Sequence, residues 1–207
     1  MEIWAVTNGR MGIPELVDVL LLVEPAIDAF ILRETTKTDK EIVEAIRRLK
    51  EAGCDEEKII VHNRPDIAVM TGIRRVQIPG YGLPLGQLKL QYPSLLFGRS
   101  VHSLAEAEMA YTHGADWLLY GHLFQTASKQ GKVPRGTDEL FRMVQAIPIP
   151  IYAIGGIRPE HLPLLEKSDL AGIALMSAIF SESTAEEAVA PYRDQLFRGK
   201  VESTWRK

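Results

Sequence analysis

A chain of 207 residues and 23.1 kDa is long enough to bury one sizeable core, yet short for an eight-unit barrel, which usually runs to ~250 residues. Its 46% apolar and 25% charged content is that of a globular protein, and it lacks the run of ~18 apolar residues that a membrane span requires. A formal charge of -3 and a pI near 6.0 leave no basic excess for a nucleic-acid partner, and the lone Cys54 excludes an internal disulfide or a thiolate metal cage, so redox chemistry is disfavoured.

The opening residues, Met1 to Thr7, carry no basic stretch ahead of an apolar segment and read as a strand rather than a signal peptide, so a cytoplasmic location is expected. From there, short β-rich apolar runs alternate with helical patterns. Strands are expected at residues 3–7, 29–34, 58–62, 75–79, 95–100, 117–121, 150–154 and 172–176. The clearest helix covers 38–52, where Ile42, Ala45, Ile46 and Leu49 share one face. Thr38 and Glu41 form a capping-box pattern at its start, Gly53 ends it, and Ser103 with Glu106 repeats the capping pattern after the fifth strand. Pro191, inside the last helical pattern, is expected to kink or shorten it. Alternation with such short connections requires parallel strands and right-handed crossovers, and eight units of ~26 residues close into an α/β fold, a (β/α)8 TIM barrel. No linker divides the chain, so residues 1–207 are expected to form a single domain. An open doubly wound sheet is the runner-up; against it, no G-x-G-x-x-G follows the first strand, and Gly155-Gly156 comes only after the seventh.

In a barrel of this kind the reactive groups sit at the carboxyl ends of the strands. Those positions hold Arg33 and Glu34, His62 to Arg64, Gln77, Arg99 to His102, Gly121 and His122, Gly155 and Gly156, and Met176 to Ala178. Gly155 and Gly156 after the seventh strand, with Met176 and Ser177 after the eighth, suit a phosphate, because glycines let backbone N–H groups approach and a short helix start adds positive potential. The plainer reading is that the glycines only permit a tight turn. His122 follows Gly121 directly, ahead of a polar loop that contains Thr126, Ser128 and Lys129. A neutral imidazole with a pKa near ~6.5 can accept a proton and return it at another atom, although a lone histidine is more often a surface hydrogen-bonding group. His62 and His102 also lie at strand ends, whereas His113 and His161 read as helix-surface residues. Arg33, Arg64 and Arg99 are anion-clamp candidates, and salt bridges to Glu34 or Asp66 are the competing reading. No H-x-x-x-H, H-x-H or clustered carboxylate spacing supports a metal site, and no cofactor is expected.

The segments Leu32-Arg33-Glu34, Gly98-Arg99-Ser100-Val101-His102-Ser103, Gly114-Ala115-Asp116-Trp117, Tyr120-Gly121-His122-Leu123-Phe124-Gln125-Thr126, Ala153-Ile154-Gly155-Gly156-Ile157 and Gly172-Ile173-Ala174-Leu175-Met176-Ser177, taken in order, carry a resemblance over nearly the whole chain. The sequence resembles thiamin phosphate synthase and, more closely, its relative the thiazole tautomerase of TenI type. The synthase joins a pyrimidine pyrophosphate to a thiazole phosphate with magnesium, which calls for carboxylates at the ion. Here the synthase's N-D-R stands as His62-Asn63-Arg64, its G-x-E-D as Pro79-Gly80-Tyr81-Gly82 and its R-x-K as Arg33-Glu34-Thr35, so both metal carboxylates are missing. His122 replaces the synthase's proline after the sixth-strand glycine, and the tautomerase family uses a histidine there.

The resemblance therefore implies an isomerase acting on a small phosphorylated thiazole, 2-carboxy-4-methylthiazol-5(2H)-ylidene ethyl phosphate, with His122 as acid and base. Gly155, Gly156, Met176 and Ser177 would hold the phosphate, while Arg33, Ser100, His102, Thr126 and Lys129 would meet the rest of the substrate. A membrane partner is not implied, and a homodimer stays open. Two competing readings are a residual magnesium-dependent synthase and a non-catalytic regulatory barrel.

Overall fold

The computed structural model describes residues 1–125, 131, 133–180 and 185–205. Eight strands follow one another: β1 (Glu2–Val6), β2 (Ala29–Leu32), β3 (Ile59–His62), β4 (Arg75–Ile78), β5 (Leu96–Val101), β6 (Trp117–Gly121), β7 (Ile151–Ile154) and β8 (Gly172–Leu175). Each is parallel to the next, and β8 pairs with β1, from Glu2 beside Gly172 to Ala5 beside Leu175, so the sheet is a closed barrel. All eight expected strands are present, with ends displaced by at most two residues. The open-sheet alternative falls with the β1–β8 pairing.

The strands read as unbroken apolar runs because both faces are covered. β2, Ala29-Phe30-Ile31-Leu32, is buried at every residue. Its Phe30 and Leu32 belong to the layer between strands and helices, whereas Ala29 and Ile31 point into the barrel. At the amino end of the barrel, Trp4 stacks on Tyr152 at 3.6 Å and meets Trp117 edge-on at 5.9 Å. The Arg75 guanidinium lies 4.9 Å from the Trp4 ring centre and 5.2 Å from that of Trp117. Glu2 accepts hydrogen bonds from Trp4 Nε1 and Tyr152 Oη, which satisfies the polar edges of two buried rings. These side chains fill that end, so ligand access is confined to the other.

The helices are α1 (Ile13–Val23), α2 (Asp39–Glu51), α3 (Pro65–Thr71), α4 (Leu85–Gln91), α5 (Leu104–Thr112), α6 (Asp138–Ala146), α7 (Leu162–Leu165), α8 (Ser177–Phe180) and α9 (Ala185–Trp205). Helix α2 follows its sequence pattern closely. Thr38 Oγ1 accepts from the Glu41 amide, Glu41 returns the bond to the Thr38 amide, and Ile42, Ala45, Ile46 and Leu49 are buried. The second capping pattern closes only halfway. Ser103 Oγ accepts from the Glu106 amide at 3.2 Å, but the Glu106 carboxylate turns to the His102 amide at 2.7 Å. Pro191 lies within α9 without shortening it. The next residues anchor the helix: Tyr192 Oη donates to the Ile157 carbonyl, and Arg193 donates to the Ala26 carbonyl and pairs with Asp28. Such tertiary contacts offset the one backbone bond that proline removes. Among the described residues, no helix is long and apolar enough to cross a membrane.

Candidate active site

A cavity of about 760 Å³ opens at the carboxyl end of the barrel. Its apolar floor is Val6, Ile31, Leu119, Ile154 and Ala174, the last inward layer of the strands. Of the ten residues singled out from sequence, the eight described ones all line it: Arg33, Ser100, His102, His122, Gly155, Gly156, Met176 and Ser177. Thr126 and Lys129, with Ser128, lie outside the described residues.

His122 is buried, 5% exposed, and has a left-handed backbone with φ +67°. A non-glycine residue held there stores strain of roughly 1–3 kcal/mol and persists only where its surroundings enforce it. The enforcement comes from backbone bonds on both sides. The Leu123 amide donates to the Ile154 carbonyl, the Phe124 amide to the Gly155 carbonyl, and the Arg135 amide to the His122 carbonyl. This binds the loop after β6 flat against the loop after β7. The contact requires Gly155 and Gly156. A Cβ at Gly155 would lie 2.8 Å from His122 Cα, and one at Gly156 would lie 2.2 Å from the Gln125 carbonyl oxygen. The glycine pair thus has a packing duty beyond making a turn. On the far side of the β8 strand, the first turn of α8 leaves the Ser177 and Ala178 amides without intrahelical acceptors. His161, expected on a helix surface, instead stacks on Phe124 at 3.9 Å and braces the same loop.

The opposite wall is polar. Arg33 lines the cavity from the end of β2, and among the described residues it makes no ion pair; Glu34 pairs with Lys37, at 4.0 Å, instead. Burial raises the Glu34 carboxyl above its ordinary value, against the Thr7 hydroxyl, Lys37, the Gly9 amide and Arg33, which pull it down. Beside Arg33, His62 is pushed down to about 4 by burial and then by the Arg33 charge, so its imidazole is neutral near pH 7. The other two arginines are not clamps. Arg64 is bound by Asp39 and Asp66, the salt-bridge reading. Arg99 donates to the carbonyls of Gly80 at 2.8 Å and Leu83 at 2.9 Å, and thereby holds the loop after β4.

Ser100 and His102 approach from β5. The His102 ring packs over Gly121, where a Cβ would come within 3.2 Å of Nε2, and its Nδ1 lies 3.6 Å from the Glu106 carboxylate. Glu106 is a cavity residue that sequence reasoning assigned only to helix capping; its spacing of four from His102 on a helix start was the available signal. It is also the one carboxylate among the described cavity-lining residues, and it is engaged with His102. Asn63, in left-handed backbone with φ +56°, and Tyr81 with Gly82, in the loop after β4, occupy the positions where the resemblance put carboxylates. Among the described residues, no cluster of three or more His, Cys, Asp or Glu side chains is placed to hold a metal ion. A hard divalent cation wants several oxygen ligands, and this lining does not fit one.

Fold and cavity together define a small (β/α)8 barrel with a histidine-lined cavity at the carboxyl ends of its strands. The chain belongs to the thiamine monophosphate synthase family, whose sequence model matches residues 3–179. It is similar to the thiamine-phosphate synthase of Pyrococcus furiosus, 28% identical over 194 residues and 93% of each chain. The thiamine-phosphate synthase of Anaeromyxobacter dehalogenans is 32% identical over 162 residues, covering 77% of this chain and 73% of that one. Among solved structures, thiamine phosphate pyrophosphorylase from Pyrococcus furiosus superposes with a TM-score of 0.79 at 25% identity, covering 95% of this chain and 96% of that one. A 3-hexulose-6-phosphate synthase, TM-score 0.75 at 15% identity and covering 94% of this chain and 99% of that one, shares the fold.

Proposed function

We propose that this family member is a thiazole tautomerase of thiamin biosynthesis, an isomerase that aromatises 2-carboxy-4-methylthiazol-5(2H)-ylidene ethyl phosphate to the carboxythiazole ethyl phosphate. One observation supports the reading: the cavity is lined by His122, held at the end of β6, by Gly155, Gly156 and Ser177, and, among the described residues, by a single carboxylate that is already engaged. His122 takes the C2 proton of the ring. The C–H electron pair becomes the C2=N3 bond, the former N3=C4 pair moves to C4=C5, and the exocyclic C=C pair takes a proton from the imidazolium. No oxidant, metal or co-substrate is needed for that balance. Gly155, Gly156, Met176 and Ser177 hold the phosphate through backbone amides, and Arg33, Ser100 and His102 meet the remainder, with His62 supplying a neutral imidazole beside Arg33. The substrate is a soluble metabolite, in keeping with a cytoplasmic location.

The relatives named thiamine-phosphate synthase favour a second reading, a condensing synthase. Against it stands the lack, among the described cavity-lining residues, of a free carboxylate for its magnesium. Ring aromatisation followed by ultraviolet absorbance separates the two. Wild type is expected to turn over without magnesium and without a pyrimidine pyrophosphate, and His122→Ala to lose ~10²–10⁴-fold, the worth of a general acid and base. Near-wild-type turnover by the variant overturns the role of His122, and magnesium-dependent condensation without aromatisation overturns the tautomerase reading.

A further inference from the structure

Register sets three side chains abreast inside the barrel wall. Gln77 on β4 pairs with Gly98 on β5, and Gly98 pairs in turn with Trp117 on β6. Gly98 has no side chain, and none would fit: a Cβ there would lie 2.0 Å from Trp117 Nε1 and 2.4 Å from Gln77 Oε1. Across that gap Trp117 Nε1 donates to Gln77 Oε1 at 2.8 Å, and both residues are buried, at 4% and 1% exposure. Two residues beyond Gly98 on the same face, at the cavity, stands Ser100, whose Oγ lies 3.1 Å from Gln77 Nε2.

The donor and acceptor inventory fixes the direction of every bond in this row. An indole N–H only donates, so the atom of Gln77 that faces it is the amide oxygen, and a flipped amide would set two donors against each other. The amide nitrogen, which only donates, therefore faces Ser100. The serine oxygen must accept, and its own hydrogen is directed away from Gln77 toward the cavity. Among the described residues, the Ser100 side chain makes no other hydrogen bond. Its hydroxyl is a donor by construction, a choice made by a tryptophan that lies 40 residues along the chain from Gln77.

The order of strands says what that donor faces. In a closed ring of eight, β3 and β4 lie opposite β7 and β8. A phosphate at the β7 and β8 loops sends the far end of the ligand toward the wall of Arg33, His62 and Ser100. We propose that Gln77, locked by Trp117 in the gap left by Gly98, is a positioning residue that turns the Ser100 hydroxyl into a donor for the substrate carboxylate. The identity of that acceptor rests on the tautomerase reading; the direction of the relay does not.

The test is a ratio. Calorimetry measures the Kd of 2-(2-carboxy-4-methylthiazol-5-yl)ethyl phosphate and of the same compound lacking the carboxylate, for wild type, Ser100→Ala, Gln77→Met and the double variant. Wild type is expected to prefer the carboxylated compound by at least tenfold. Ser100→Ala and Gln77→Met each lower that preference by about tenfold, the worth of a hydrogen bond to a charged group, and the double variant lowers it no further than Ser100→Ala alone. Loosened structure would weaken both ligands together and leave the ratio unmoved. If wild type binds neither compound, the tautomerase reading fails and takes this inference with it. If wild type prefers the carboxylate and Gln77→Met keeps that preference, the relay is wrong while the reading stands. Should Gln77→Met not fold, an undiminished preference in Ser100→Ala overturns the proposal by itself.

Discussion

Between pH about 4 and ~6.5, His62 is neutral in the folded cavity and protonated in an unfolded chain, because burial and then Arg33 hold its folded pKa down to about 4. The unfolded state therefore binds the extra proton, and stability falls as pH drops through this window and is fully present above it. A depression of this size corresponds to at most ~3 kcal/mol at the acid end. Glu34 acts in the opposite sense, since its raised carboxyl pKa makes the folded state the better proton binder at low pH. The comparison must thus be made between variants. Urea midpoints of His62→Gln are expected to fall less steeply than those of wild type between pH 6.5 and 4.5, and parallel profiles would show that His62 is solvated. The arginines illustrate how much at this scale depends on neighbours. Arg33, Arg64 and Arg99 all stand at strand ends in the sequence, yet Asp39 and Asp66 neutralise one and loop carbonyls occupy another, which leaves Arg33 to line the cavity.

At the level of elements, the central structure is the pair of loops after β6 and β7, which behave as one unit. Backbone bonds from Leu123 and Phe124 to Ile154 and Gly155 join them, and the absence of two Cβ atoms brings them close enough. Gly156→Ala tests that unit. Its new methyl would meet the Gln125 carbonyl at 2.2 Å on a backbone with φ +66°, and neither chain segment can yield without breaking those bonds. The expected result is a stability loss of ~1–3 kcal/mol by urea denaturation, together with a ~10²-fold fall in aromatisation kcat/KM as His122 is displaced. Wild-type values in both measurements would separate the glycine from the position of His122. Helix α2 is the contrasting case. Its cap, apolar face and terminating glycine are all local, so its boundaries were readable to within a residue.

At the scale of the molecule, closure of the barrel converts scattered segments into one cavity with two poles. The proposed ligand should act as a folding partner. Saturation with the carboxythiazole ethyl phosphate at 100 times its Kd contributes ~2.7 kcal/mol, or about 5–10 °C in thermal midpoint for a domain of this size. An unchanged midpoint at that concentration would deny binding to the folded state. The sequence by itself determined the eight parallel units and the ring of residues at their carboxyl ends, because strands covered on both faces are apolar without interruption and barrel topology assigns their ends to the ligand. Only the tertiary structure decided that Glu106 belongs to the cavity, that His122 is held in a left-handed turn, and that Trp117, Gln77 and Ser100 form a directed row. Those features depend on register between strands 23 to 40 residues apart and on space left by single glycines, quantities with no local signature in the chain.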